Sequence, residues 1–135
     1  MQGNPIPTPA SIGAAAADHA HAVTTVALTP INGFTSIGGA ANSLSVYPAL
    51  RLVLLRFAVQ RTTYPGASVN IFTWDAAYTV AGGTTYAAMQ TYDAGSTHWH
   101  IQFARIASNS LIWIWLNAFS GTGPVQISGQ IVFPY

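Results

Sequence analysis

From Val23 onward the chain runs in short segments of alternating apolar and polar residues, separated by clusters of Gly, Pro, Asn and Asp. A period of two puts successive side chains on opposite faces of a strand, and no stretch holds the 3.6-residue period of an amphipathic helix. The pattern predicts strands over Val23 to Leu28, Leu50 to Arg61, Val69 to Trp74, Tyr86 to Tyr92, His98 to Ile106, Leu111 to Phe119 and Val125 to Phe133. Turn signals separate them at Asn32-Gly33, Gly38-Gly39, Tyr64-Pro65-Gly66, Gly82-Gly83, Asp93-Ala94-Gly95, Ser108-Asn109-Ser110 and Gly121-Thr122-Gly123-Pro124. Strands at this spacing imply an all-β fold, an antiparallel β-sandwich or jelly roll, whose last three segments form a meander.

Alternation also assigns faces. In the last segment Val125, Ile127, Ile131 and Phe133 point one way and Gln126, Ser128 and Gln130 the other, so one face is wet. In the segment before it, Leu111, Trp113, Trp115 and Phe119 oppose Ile112, Ile114, Leu116 and Ala118, and both faces need cover, from a second subunit or from the rest of the fold. In His98 to Ile106 the pattern places Trp99, Ile101 and Phe103 in the core and leaves His98, His100 and Gln102 on a polar face. Arg51 and Arg61 fall in phase with Val53, Leu55, Phe57 and Val59 at opposite strand ends, where charges reach water. Arg56 lies mid-strand among Leu52, Leu54 and Ala58; if buried it needs a partner, expected to be an interface carboxylate or carbonyls.

Residues 1 to 22 read differently, as an extended N-terminal arm ahead of a β-domain over residues 23 to 135. Pro5, Pro7 and Pro9 hold an extended stretch, and Ala14 to Ala17 allow one helical turn. Met1-Gln2-Gly3-Asn4-Pro5 lacks the basic and apolar regions of a secretion signal. An arm of this kind is ordered only when something holds it, so it is expected to dock on a partner.

Composition sharpens the picture. The 135 residues carry four Arg or Lys and three Asp or Glu, where a domain of this size usually carries about 34 charges. Half of the chain is hydrophobic, ample for a core, and interfaces are depleted in charge, so much of the surface is expected to be covered by identical copies or a larger assembly. A net charge of +1 supplies no field for nucleic acid or anionic membrane. The apolar stretches fall short of the ~18 residues of a membrane span, and the absence of cysteine excludes disulfide and thiol chemistry.

The catalytic inventory is poor. Asp18, Asp75 and Asp93 offer little choice of a paired acid and base, no Gly-x-Ser-x-Gly elbow occurs, and the lack of lysine removes phosphate-loop and Schiff-base chemistry. The expectation is a non-enzymatic protein with no catalytic residue and no organic cofactor. His98-Trp99-His100 projects two imidazoles from one strand face, as a metal site does, or continues a polar face into Gln102. A cupin-like site needs a Glu that this chain lacks.

His19-Ala20-His21 stands within Gly13-Ala14-Ala15-Ala16-Ala17-Asp18-His19-Ala20-His21-Ala22-Val23. This segment resembles the alanine-rich His-x-His segments of tail-fibre proteins of tailed bacteriophages. In some fibre tips of that kind three parallel chains each supply a His-x-His pair, and six imidazoles surround one iron on the threefold axis. The resemblance implies that His19 and His21 are axial iron ligands in a homotrimer; the plain alternative is a polar connector. Leu28-Thr29-Pro30-Ile31-Asn32-Gly33-Phe34-Thr35 and the closing Val125 to Tyr135 resemble small β-sandwich heads that end phage fibres or bind host receptors. Those heads commonly carry a Leu-Pro-x-Gly-x-Arg-Pro turn, matched here only by Tyr47-Pro48-Ala49-Leu50-Arg51.

The resemblance implies a virion structural protein, a short fibre or fibre tip in contact with other virion proteins and facing a host-surface glycan. Sugars stack on aromatic faces and bond to carboxylates and amides, so Trp74, Asp75, Tyr78, Tyr92, Asp93 and His98 are the candidate ligand residues. The alternatives are a capsid decoration protein whose arm docks on the shell, and a lectin-like binding module.

Overall fold

The computed structural model describes Gly3, Ile6 and residues 22–93, 97–114 and 124–135. The strands are β1 (Thr24–Ala27), β2 (Thr35–Ser36), β3 (Ser43–Tyr47), β4 (Leu52–Arg61), β5 (Val69–Thr73), β6 (Thr84–Asp93), β7 (His98–Ala107), β8 (Ser110–Trp113) and β9 (Val125–Pro134). They form one antiparallel sheet in the order β1-β3-β4-β9-β6-β7-β8-β5, with β2 added beside β4. The sheet curls into an arrangement consistent with a β-sandwich. The N–H of Ile31 donates to the carbonyl of Ile71 at 2.9 Å and Asn32 Nδ2 to that of Asn70 at 2.9 Å, so the chain leaving edge strand β1 stitches onto the opposite edge strand, β5.

The inward faces make the core. Val53, Leu55, Phe57 and Val59 of β4 lie against Val125, Ile127, Ile131 and Phe133 of β9, all buried. Aromatic edges lock the layers: Phe34 meets Trp113 with ring centroids 6.2 Å apart, and Phe57 meets Phe72 at the same distance. Asn32 and Gly33 have φ of 54° and 82°, the left-handed pair that a tight turn of this sequence needs.

Strands form in all seven expected segments, although β8 ends at Trp113 and residues 115–119 of its expected range lie outside the described residues, and the structure adds β2 and β3, short strands beside β4. The terminal meander is corrected. β7 and β8 form a hairpin, but β9 inserts between β4 and β6, because β8 is already paired along its other edge by β5. The faces of β9 are as expected. Those of β7 are reversed: Trp99, Ile101 and Phe103 are exposed, whereas Gln102, Ala104 and Ile106 are buried. The cause lies at the C-terminal half of the strand, where Ala104 and Ile106 must enter the core and so turn every even-numbered residue inward. The indole Nε1 of Trp113 donates to Gln102 Oε1, which makes that burial tolerable. Arg56 is exposed on the outer face of β4. The arm lies almost entirely outside the described residues, as do Trp115, Leu116, Ala118 and Phe119.

Candidate functional site

Four strand ends line up where β4, β9, β6 and β7 lie side by side. Arg61 pairs with Val125, Val125 with Asp93 and Asp93 with His98, a row about 14 Å wide at ordinary strand spacing. One residue inward, Gln60, Gln126, Tyr92 and Trp99 form the next row, and the pleat stands their side chains on the outer surface.

The outer row is aromatic and amide-bearing. The rings of Tyr92 and Trp99 lie with centroids 4.8 Å apart and planes inclined by 43°, and Trp99 is 61% exposed. Such a platform offers a flat face to a ring's C–H groups, and the amides of Gln60 and Gln126 supply hydrogen-bond donors and acceptors beside it. The strands hold these groups in fixed register, so the platform is formed before any ligand arrives. Beside it, Gly33, Thr35, Gln60, Arg61, Thr62 and Pro124 line a groove of about 300 Å³. The Arg61 guanidinium sits 5.7 Å from the centre of the Phe34 ring, within reach of a cation–π contact.

The strand-end row is shielded at its centre, at Val125 and Asp93. Asp93 is only 3% exposed, and Tyr64, tilted on Trp113 at 5.6 Å between centroids, lies close to it. Burial pushes the Tyr64 phenol above its ordinary pKa of 10.0, and the negative charge of Asp93 adds to that rise. His98 is exposed and His100 half-buried opposite Thr91, their rings 6.3 Å apart.

Six ligand residues were expected, and they fall into two groups of three. Tyr92 belongs to the row on the outer surface, and Asp93 and His98 belong to the strand-end row whose side chains point to the opposite face. Trp74, Asp75 and Tyr78 sit at the opposite end of β9, about 30 Å away over a strand of this length. There they knit the fold. Trp74 Nε1 donates to the carbonyl of Tyr78 at 3.0 Å, Asp75 Oδ1 accepts from the Ala77 N–H at 2.9 Å, and Tyr78 packs edge-on to Tyr135 at 5.5 Å. His19 and His21 lie outside the described residues, and no group of three His, Cys, Asp or Glu that could hold a metal occurs among the described residues. Trp99, Gln60, Gln126 and Arg61 were not among the expected ligand residues. For Trp99 the signal was present in the phase set by Ala104 and Ile106; for Gln60 and Gln126 only the pairing of β4 with β9 brings them together.

No protein-family model matches the chain, and no curated protein matches its sequence. The architecture is that of a solved phage protein: over 84% of this chain and 98% of the other, at 16% identity and a TM-score of 0.57, it shares its fold with the head domain of lactococcal phage bIL170, described in the context of a common fold for the receptor-binding domains of lactococcal phages.

Proposed function

We propose that this chain is a non-enzymatic bacteriophage virion protein, a trimeric short fibre or fibre tip at the tail, that attaches the particle to a glycan on the bacterial surface. The observation that carries the reading is the fold shared over nearly the whole head domain of the bIL170 protein. The Tyr92–Trp99 platform, flanked by Gln60 and Gln126, supplies the chemistry that sugar recognition needs. Glycan hydroxyls bond to its amides, and the ring face stacks on Trp99.

The trimer rests on the rest of the same surface. Ile101 and Phe103 stand exposed on β7 and Tyr86 on β6, with Ile112 half-buried on β8 and Ile114 just beyond that strand, and half-buried Arg105 stands on the same face between Tyr86 and Ile112. A largely apolar face of this kind, carrying Arg105 and Gln90 among its aromatic and aliphatic residues, fits burial against two further copies.

The test uses the full-length protein. Light scattering is expected to return three times 14.2 kDa, and Ile101→Asp with Phe103→Asp to return the single-chain mass. Fluorescently labelled protein is expected to bind cells of at least one strain in a bacterial panel and that strain's extracted surface polysaccharide, and Trp99→Ala to weaken both at least tenfold. Binding to emptied capsids in place of cells would move the protein to the capsid surface and overturn the attachment reading.

A further inference from the structure

A second apolar feature of the outer surface lies away from the sugar-binding row, where β3, β4 and β9 come together at the opposite end. Tyr47 pairs with Leu52, and Leu54 with Val132. With Leu50 and Val53 they line a groove of about 240 Å³, the volume of about eight liquid waters. Its rim is open, with Leu50 and Val132 56% and 62% exposed, and no charged side chain lines it.

The course of the chain says what can reach it. Thr24 pairs with Val46, so the segment that precedes β1 joins the sheet beside Tyr47, at the groove's edge. That segment carries no charged side chain before Asp18 and contains Pro5-Ile6-Pro7-Thr8-Pro9. Alternate prolines favour the polyproline II form, which is largely ordered before binding and is recognised by apolar, aromatic-lined grooves. Ile6 is 90% exposed, so its own domain gives it no cover. The residues between Ile6 and Val23 span up to about 56 Å when extended, enough to cross from one copy to the next.

We propose that the Pro5 to Pro9 segment of one copy docks in the groove of Tyr47, Leu50, Leu54 and Val132 on a neighbouring copy, with Ile6 as the buried side chain. The inference rests on the self-association proposed above. It gives the arm the role of a clasp between copies and places the clasp at the end of the domain remote from the sugar-binding row, where it leaves that row free.

The chain has no cysteine, so introduced pairs report without background. The double variant Ile6→Cys with Leu50→Cys, in the full-length protein under mild oxidation, is expected to give dimer- and trimer-sized bands on non-reducing gels, while either single variant stays at single-chain size. A single-chain band with an internal disulfide would overturn exchange between copies. No disulfide at all, in a protein that light scattering shows to be trimeric, would overturn docking in the groove and leave the trimer standing; a single-chain mass would overturn the trimer itself. Independently, Ile6→Asp is expected to leave the thermal unfolding of the domain unchanged and to raise the concentration of half-dissociation at least tenfold, and an unchanged value would refute the clasp.

Discussion

Replacing Asn42 by alanine removes one small side chain from the place where three strands are joined, and the structure sets the size of the loss. β4 pairs with β3 as far as Arg56 and with β2 from Val59, so Ala58 falls in the step between two partner strands. Asn42, 4% exposed, fills that step: its Oδ1 accepts the Ala58 N–H at 2.8 Å, and its Nδ2 donates to Ser36 Oγ at 2.7 Å. Alanine leaves the Ala58 N–H without a partner, which costs about 1–3 kcal/mol, and removes the bond to Ser36, about 0.5–1.5 kcal/mol. The sum, about 2–4 kcal/mol, is a large part of the ~5–15 kcal/mol by which a domain is stable, and lowers Tm by on the order of 10 °C. Ser36→Ala is the control, because it removes only the weaker bond and is expected to cost about 1 kcal/mol. The main-chain bond from the Leu28 N–H to the Asn42 carbonyl, at 2.9 Å, survives in both variants. Urea titration followed by tryptophan fluorescence measures the difference, with the midpoint expected to fall and the slope to stay constant. An Asn42→Ala variant no less stable than Ser36→Ala would refute the assignment of Asn42 as the joint.

Gly129→Ala is expected to destabilise by about 1–3 kcal/mol, since a Cβ there comes within 3.0 Å of Cζ and 3.3 Å of Cε1 of Phe57, whose ring is held edge-on by Phe72; Phe57→Leu should recover part of the loss, and strictly additive free energies would refute the clash. Tyr64 stays neutral in the fold to higher pH than in the unfolded chain, so its contribution is complete below pH 10.0 and declines as pH rises through the folded value. Tyr64→Phe should therefore flatten the alkaline fall in stability, and parallel curves for the two proteins would count against a buried phenol. Arg51 has φ of 51° and clasps the Tyr135 carbonyl through Nε and Nη2 at 3.1 and 2.9 Å. Because glycine accepts that φ and alanine does not, Arg51→Gly should be the more stable of the two replacements by about 1 kcal/mol, and the reverse order in thermal melts would show that the backbone there relaxes freely.

How much of this was legible in the sequence varies from strand to strand for physical reasons. β9 was read correctly, faces included, because Gln126, Ser128 and Gln130 alternate with bulky apolar residues and leave no second choice. β2 and β3 were missed because Ser, Thr and Gly dominate that stretch and its two strands are short, the pairing with β4 being supplied by the Asn42 side chain and by neighbours distant in sequence. The terminal meander failed for a related reason. Whether β9 lies beside β8 or between β4 and β6 depends on which edges remain open after β5 has paired, and no local pattern records that. Half of the expected ligand residues, Tyr92, Asp93 and His98, lie at one end of the sheet because they flank one hairpin, with Tyr92 on the outer face and Asp93 buried on the other. Trp74, Asp75 and Tyr78 are equally plausible by residue type, but their polar atoms serve the local chain at the far end of the sheet.

β7 shows how one phase choice reorganises both surface and site. Reading His98, His100 and Gln102 as the wet face treats polarity as decisive at each position, whereas the strand must satisfy all its positions with one rotation, and Ala104 with Ile106 outweighs a glutamine whose carbonyl oxygen Trp113 can cap. Once that rotation is set, Trp99 must stand beside Tyr92 on the outside, and Ile101 and Phe103 must follow it into water. Had they packed inward, the outer face of β7 would carry two imidazoles and an amide and would need no cover. With them outward, a molecule that covers the face must also desolvate or pair Arg105, the charged neighbour that stands on it between Tyr86 and Ile112. The scarcity of charge along the chain and the reversed face of β7 both suit the proposed function, in which the outer surface of β6 and β7 would meet a sugar at the strand ends and further copies along their length.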